Sequence, residues 1–302
     1  MVDRADRERI CLIGFGEVGR VLAADLLSAG VSRLMAWDTQ FTDPASGPAQ
    51  AARSLQVTLG TDVRHAAGEA SLILSAVTAA QDVAAAMSVA PHLSPEALFV
   101  DLNSVSPGVK QQVATIIEQG GGRYVEAAIM SPIAPKRSAS PMLLGGPHAQ
   151  EFADVARRLG FTGLQVFSDT VGKASAAKMC RSVVVKGMEA LLTESLLTAR
   201  RYGVEQTVID SLRNLFPAPD WAALARYMIS RSLIHGTRRA EEMWQVAATV
   251  DEAGFEPWMS AASAQRQQWA AQFAALAAHE DLEGMLDALL AEAGEQPEKE
   301  PC

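Results

Sequence analysis

The stretch that most constrains the fold is Ile10 to Gly19, ICLIGFGEVG. An apolar run, Ile10 to Ile13, leads directly into Gly14-Phe15-Gly16-Glu17-Val18-Gly19. Behind it, from Arg20 to Ala29, apolar residues (with Val18, then Val21, Leu22 and Leu26) recur at helical spacing. Strand, tight turn and helix in that order are what the fingerprint G-x-G-x-x-G requires of a dinucleotide-binding βα unit. Gly14 allows the sharp turn, Gly16 lets a pyrophosphate approach the backbone, and Gly19 permits close helix packing. The pyrophosphate would then rest on the unpaired N–H groups at the positive end of the helix. The alternative is a glycine-rich turn in some other α/β protein.

Asp38 argues against that alternative. It ends the next apolar run, Leu34 to Trp37, about 20 residues after the glycines, where a carboxylate can accept hydrogen bonds from an adenosine ribose. That carboxylate repels a 2′-phosphate, and Thr39 and Gln40 offer no cation to hold one. The reading is therefore NAD in preference to NADP. A methyltransferase also combines a glycine-rich loop with an acid, but Gly19 and the layout downstream argue against it.

Short apolar runs then alternate with helical stretches: Gln56 to Leu59, Ser71 to Val77, Ala97 to Asp101, Tyr124 to Met130, Met142 to Leu144 and Leu164 to Phe167. Near-continuous apolar strands separated by helices predict a parallel sheet covered on both faces. From Gly172 the character changes. Ala174 to Ala199 reads as one long helix, and helices follow at Gln206–Leu215, Pro219–His235, Arg238–Ala253, Pro257–Ala277 and Leu282–Ala293. The expectation is an α/β chain with a Rossmann-type doubly wound parallel sheet over 1–170, followed by an all-α domain over 171–302. The terminal GEQPEKEPC is polar and expected to fray.

With 302 residues the chain can bury a real core in two domains. Its formal charge of −9, from 26 basic and 35 acidic residues, disfavours nucleic acid or an anionic membrane as partner. Cys11, Cys180 and Cys302 show no metal spacing, and the first two read as small buried hydrophobes in a reducing compartment. The charged start MVDRADRER carries no signal-peptide pattern, and no apolar run reaches membrane-spanning length, so the cytoplasm is expected.

In an open parallel sheet, ligands collect at the C-terminal strand ends. After the fourth strand, Ser75, Ala76, Val77 and Thr78 form a small floor for an adenine edge or a nicotinamide ring. After the fifth, Asn103 and Ser104 can orient an amide or a substrate carboxylate. They can equally be capping groups for the helix at Pro107, whose N-cap is Ser106. In GKASAAKMCRS, Lys178 shares a helix face with Ser182 and Glu189. Partly desolvated beside a nicotinamide it could exchange a proton with a hydroxyl or carbonyl, and the bland alternative is a solvated surface lysine. Farther on, His235, Arg238, Arg239 and Glu242 lie within two helical turns. An arginine could grip a carboxylate or phosphate by two hydrogen bonds, and His235 could be a second acid/base. The bland alternative is a capped helix start with an Arg–Glu surface pair.

Taken in order, IGFGEVG, DLNSVSP and GKASAAKMCRS make the chain resemble the β-hydroxyacid dehydrogenases, the family of the 3-hydroxyisobutyrate and 6-phosphogluconate dehydrogenases. The likeness covers most of the chain. It implies that Lys178 is the general acid/base, that the substrate is a small molecule, and that the helical domain forms a homodimer. The late segment HGTRRAEEMWQVAATVDEAGFEP looks like the helical domain of a branch of unassigned function.

This chain departs from the family in three places. Ser182 stands where the family has Asn, Met130-Ser131-Pro132-Ile133 replaces its Ser-Gly-Gly loop, and Glu241-Glu242 replaces a Lys-Asp pair. The expected activity is hydride transfer between NAD and an alcohol or hydroxyacid larger than, or differently shaped from, the usual one. Asn103, Ser104, Ser182, His235 and Arg238 would contact substrate. Gly14 to Gly19, Asp38, Val77, Thr78 and Asn103 would contact the cofactor, and no metal is called for. Two other readings stay open: an imine reductase on the same scaffold, and an NAD(H)-binding sensor without catalysis.

Overall fold

The computed structural model describes residues 8–215, 217 and 220–294. In chain order the elements are β1 (Ile10–Ile13), α1 (Glu17–Ser28), β2 (Leu34–Trp37), α2 (Gly47–Ser54), β3 (Thr58–Leu59), α3 (Val63–Ala67), β4 (Leu72–Ser75), α4 (Asp82–Val89), β5 (Leu98–Asp101), α5 (Pro107–Gln119) and β6 (Arg123–Ile129). Then come α6 (Ile133–Lys136), β7 (Met142–Gly145), α7 (Ala149–Arg158), β8 (Leu164–Ser168), α8 (Lys173–Arg201), α9 (Glu205–Leu215), α10 (Trp221–Glu252), α11 (Trp258–Ala270) and α12 (Leu282–Gly294). The chain divides into two compact units between Met179 and Cys180, inside α8.

In the first unit the eight strands lie in the order β3-β2-β1-β4-β5-β6-β7-β8. Alternation along β1 sets the two faces. Ile10 and Leu12 join Leu22, Leu26 and Phe152 on one side, and Cys11 and Ile13 join Ala86, Val89 and Val113 on the other. Both faces are thus closed by helices, which is why the strands read as unbroken apolar runs. The chain order reverses at β1, which lies between β2 and β4. The loops after β1 and β4 flank that switch point, where an open α/β sheet holds its ligand.

Four sequence expectations need correction. The sheet is not wholly parallel: β7 runs antiparallel to β6. Their connection carries only the four-residue α6, too little helix for a parallel crossover. The covered-on-both-faces pattern also fails at the edge, where Val166 and Phe167 of β8 are exposed. The helices expected on either side of Gly236-Thr237 are one helix, α10, of 32 residues. Gly236 reads as a breaker but serves packing, since a Cβ there would stand 2.4 Å from the Gln267 carbonyl oxygen of α11. Finally, Cys11 is buried, and burial pushes its thiol up to about 12, but Cys180 lies on the outward side of α8 and is exposed. Cys302 and the terminal GEQPEKEPC from Glu295 onward fall outside the described residues, as does Pro219.

The second unit is helical. Leu192, Leu196, Trp221, Ile229, Leu233, Phe273, Leu286 and Leu289 form its core. Among the described residues no helix is long and apolar enough to cross a membrane.

Candidate active site

Each fingerprint glycine answers to a separate contact. Gly14 sits at φ +90°, and a Cβ there would meet the Ala76 carbonyl oxygen at 2.5 Å. A Cβ on Gly19 would stand 2.2 Å from the Gly14 carbonyl oxygen, so its bareness lets α1 close onto the turn. At Gly16 nothing of the protein lies within 4 Å of an added Cβ. Gly16 is the N-cap of α1 and supplies no side-chain cap. The first-turn N–H groups are thereby left facing outward, a cradle suited to phosphate oxygens. Phe15 is buried, Glu17 exposed and Val18 half-buried against the core.

Asp38 ties this loop to the end of β2. One carboxylate oxygen accepts from the Phe15 N–H at 2.7 Å and the other from the Gln40 N–H at 2.8 Å. Each keeps a lone pair for a ribose hydroxyl. Across the switch point Val77 is half-buried and Thr78 exposed. These residues fit a dinucleotide: a glycine loop with free approach, an uncapped helix start and a carboxylate at the neighbouring strand end.

Asn103 is placed under this surface rather than on it. It is 4% exposed. Its amide nitrogen donates to Asp82 at 2.7 Å and to the Ser75 hydroxyl at 3.1 Å, and its amide oxygen accepts from the Val77 N–H at 2.7 Å. Both N–H bonds are spent inside the protein, so the amide expected to touch cofactor and substrate is occupied by Asp82, Ser75 and Val77. Ser106 is the N-cap of α5, accepting from the Val109 N–H at 3.3 Å.

Ser104, the next residue, is half-buried and accepts a hydrogen bond from Lys178 Nζ at 2.5 Å. The two are 74 residues apart in the chain. Lys178 is half-buried too, so the solvated-lysine reading fails. The start of α8 is held in place by Glu126 of β6, whose carboxylate accepts from the Gly172 N–H at 2.7 Å and from the Ser175 N–H. The Ser175 hydroxyl donates to the Val105 carbonyl. Burial raises the Glu126 carboxyl, and the opposing pull of Lys110 and of the two N–H donors only partly offsets it.

A buried polar cluster lies beneath these residues and was not foreseen from the sequence. Asp101 holds Lys110 Nζ at 2.7 Å, both at most 1% exposed, and accepts from the Tyr124 hydroxyl at 2.8 Å. The available signal was the occurrence of Asp101 and Glu126 within otherwise apolar strands.

In the second unit, Ser182 is buried and accepts from Lys186 Nζ at 3.1 Å. Lys186 also pairs with Glu242 at 2.8 Å, and Arg239 with Glu189 at 2.6 Å. These two pairs set α8 and α10 antiparallel, which puts His235 level with Thr193, roughly 16 Å of helix rise from Ser182. His235 and Ser182 therefore do not meet in one constellation. Arg238 is half exposed and pairs with Glu242 at 2.8 Å, the surface pair rather than a substrate clamp. Arg137, half exposed, pairs with Asp25 of α1 at 2.6 Å. A groove of about 1000 Å³, lined by Arg9, Arg33, Arg64 and His92, opens at the N-terminal strand ends and contains none of the expected site residues.

Comparison with known proteins agrees with this geometry. Residues 9–172 match the NAD binding domain of 6-phosphogluconate dehydrogenase, and residues 199–270 match a domain of unknown function (DUF1932). A conserved hypothetical protein from Sinorhizobium meliloti 1021 is 38% identical, with 93% of this chain and 95% of that one aligned and a TM-score of 0.74. A second solved structure, of a conserved protein of unknown function described as similar to 3-hydroxyacid dehydrogenases, is 30% identical over 88% of this chain and 99% of its own, TM-score 0.67. Human mitochondrial 3-hydroxyisobutyrate dehydrogenase is 23% identical over 221 residues, which are 72% of this chain and 65% of that enzyme. The chain belongs to the family defined by the NAD-binding domain of 6-phosphogluconate dehydrogenase, in the branch whose second domain has no assigned function.

Proposed function

We propose that this protein is an NAD-dependent oxidoreductase that transfers hydride between nicotinamide and an alcohol or hydroxyacid-type substrate, with Lys178 as general acid/base. The observation that carries the reading is the Lys178–Ser104 hydrogen bond at the C-terminal end of β5, on the ligand-binding edge of the sheet. Gly14, Gly16, Gly19 and Asp38 would hold the dinucleotide. Bound nicotinamide supplies the hydride acceptor or donor. Lys178, neutral, takes the hydroxyl proton when the substrate is oxidised and returns it when a carbonyl is reduced. Ser104 fixes the direction of Nζ, and Asn103 holds the Val77 backbone from below. Thr39 and Gln40 after Asp38 bring no cation, which supports NAD over NADP. Exposed Tyr202, Phe255 and Trp258 in the second unit support a homodimer.

The test is nicotinamide absorbance with a panel of alcohols, hydroxyacids and sugar acids plus NAD or NADP, wild type beside Lys178→Ala. Lysine-dependent reduction of NAD is expected, with turnover down about 10²- to 10⁴-fold in the variant and NADH binding retained. Full activity in the variant removes the role of Lys178. Silence across the panel despite tight NADH binding transfers the assignment to imine reduction or to an NAD(H)-binding sensor, and cyclic imines, tested next, separate the two.

A further inference from the structure

Three carboxyl groups are buried near the C-terminal ends of β5 and β6, and two of them have a visible counterpart. Asp101 has the Lys110 ammonium, the Tyr124 hydroxyl and the Asn103 N–H, the last at 2.9 Å. Glu126 has the first-turn N–H groups of α8. Asp82, the first residue of α4, has one side-chain hydrogen-bond donor, Asn103, and feels Lys110 only through its charge: Oδ1 accepts from the amide, while Oδ2 is buried without a donor. Asn103 bridges the two acids, its backbone N–H donating to Asp101 at 2.9 Å and its amide to Asp82 at 2.7 Å, so that the charge of Asp101 bears on Asp82.

Asp82 and Asp101 are 0% exposed and Lys110 is 1% exposed. Two ionised carboxylates beside one ammonium leave an uncompensated charge in an apolar sheet, which is costly. A proton on Asp82 Oδ2 turns the orphan acceptor into a donor toward Asp101 and makes the trio neutral. The charged and titratable groups that act on Asp82 are Asp101 of β5, Lys110 of α5 and Tyr124 of β6, and Glu126 of β6 acts in turn on Asp101, Lys110 and Tyr124.

Asn103 gives this pair a route to the site. The same amide that binds Asp82 holds the Val77 N–H, in the loop whose Ala76 carbonyl abuts Gly14. The residue after Asn103 is Ser104, the acceptor for Lys178.

We propose that Asp82 and Asp101 share one proton, and that Asn103 transmits the state of this pair to Val77 and Ser104, so that dinucleotide binding is strongest while the proton is held. Asp82, Asp101 and Asn103 are then positioning residues, and the inference rests on the dinucleotide reading above. Burial first, and the charge of Asp101 second, push the Asp82 carboxyl up to about 7, which places the loss of the proton in the neutral range. Once it leaves, Asp82 repels Asp101 and the Asn103 amide is drawn by two anions, loosening its hold on Val77.

The test is NADH binding by nicotinamide fluorescence from about pH 5.5 to about pH 9, in wild type, Asp82→Asn and Lys178→Ala. Wild-type affinity should fall about five-fold across neutrality. Asp82→Asn, whose amide mimics the protonated acid, should bind as wild type does at the acid end and show no pH limb. Lys178→Ala should keep the limb. A second measurement needs no variant: infrared difference spectra of wild type between about pH 6 and about pH 9 should show a buried carboxylic-acid C=O stretch lost at the alkaline end. A limb that persists in folded Asp82→Asn overturns the proposal, and so does the absence of that infrared band. Failure to bind NADH at every pH removes the dinucleotide reading and the transmission to Val77 together, while the infrared band still decides the shared proton.

Discussion

Glu126 and Gly172 are 46 residues apart in the chain and 2.7 Å apart in the fold, carboxylate to backbone N–H. With Ser175 as second donor, one buried side chain of β6 caps the helix that carries Lys178. A strand residue thereby sets where α8 begins and which way its first turns face.

Glu126→Ala would leave two buried N–H groups without an acceptor. An unsatisfied buried donor costs about 1–3 kcal/mol, so a loss of about 3 kcal/mol is expected from urea denaturation. Glu126→Gln keeps one acceptor oxygen and should lose about half as much. Wild-type stability in the alanine variant would show that the cap holds nothing.

Gly16 and Gly19 separate folding from binding. Gly16 has φ −74°, accessible to any residue, and nothing of the protein near an added Cβ. Gly16→Ala should leave the melting temperature unchanged while weakening NADH binding about ten-fold or more. Gly19→Ala forces a Cβ against the Gly14 carbonyl and should destabilise the fold by about 1–3 kcal/mol. Equal loss of stability in both would mean that Gly16 is structural.

Ser104→Ala removes the acceptor that aims Lys178 Nζ. Turnover should fall about ten-fold from lost orientation, with NADH affinity unchanged, and Ser104→Thr should restore most of it. Unchanged turnover in Ser104→Ala would leave the lysine needing no guide.

Asp82 should also imprint the stability curve. Its folded-state value of about 7 lies above the ordinary 3.8, so between these the native state binds a proton that the unfolded chain does not. Stability from this group therefore falls as pH rises from about 4 to about 7, at about 1 kcal/mol per pH unit. Asp82→Asn lacks the group, so its stability relative to wild type should climb over that window and level off above it. A difference independent of pH would place no proton on Asp82.

Gly236→Ala should cost the second unit about 1–3 kcal/mol, because the Gln267 carbonyl and Ala271 leave no room for a Cβ. If instead Gly236 only interrupted a helix, alanine would stabilise α10 by about 1 kcal/mol.

The sequence alone determined the local elements and their class. All eight strands, the N-cap Ser106 and the long helix with Lys178 follow from period, apolar runs and capping chemistry, which act over a few residues. The three glycines were legible for the same reason, since each task is set within one turn of chain. Tertiary structure decided what depends on residues distant in sequence. The direction of β7 follows from a connection too short for a crossover helix. Gly236, a breaker by local rule, is a contact point because α11 packs there. Asn103 looked like a ligand-binding group until burial showed its amide spent on Asp82, Ser75 and Val77. Asp82, Lys110 and Glu126, ordinary charges in isolation, became a buried network because partners 9 to 49 residues away replace water around them. Desolvation and pairing are properties of the assembled sheet, and no local pattern encodes them.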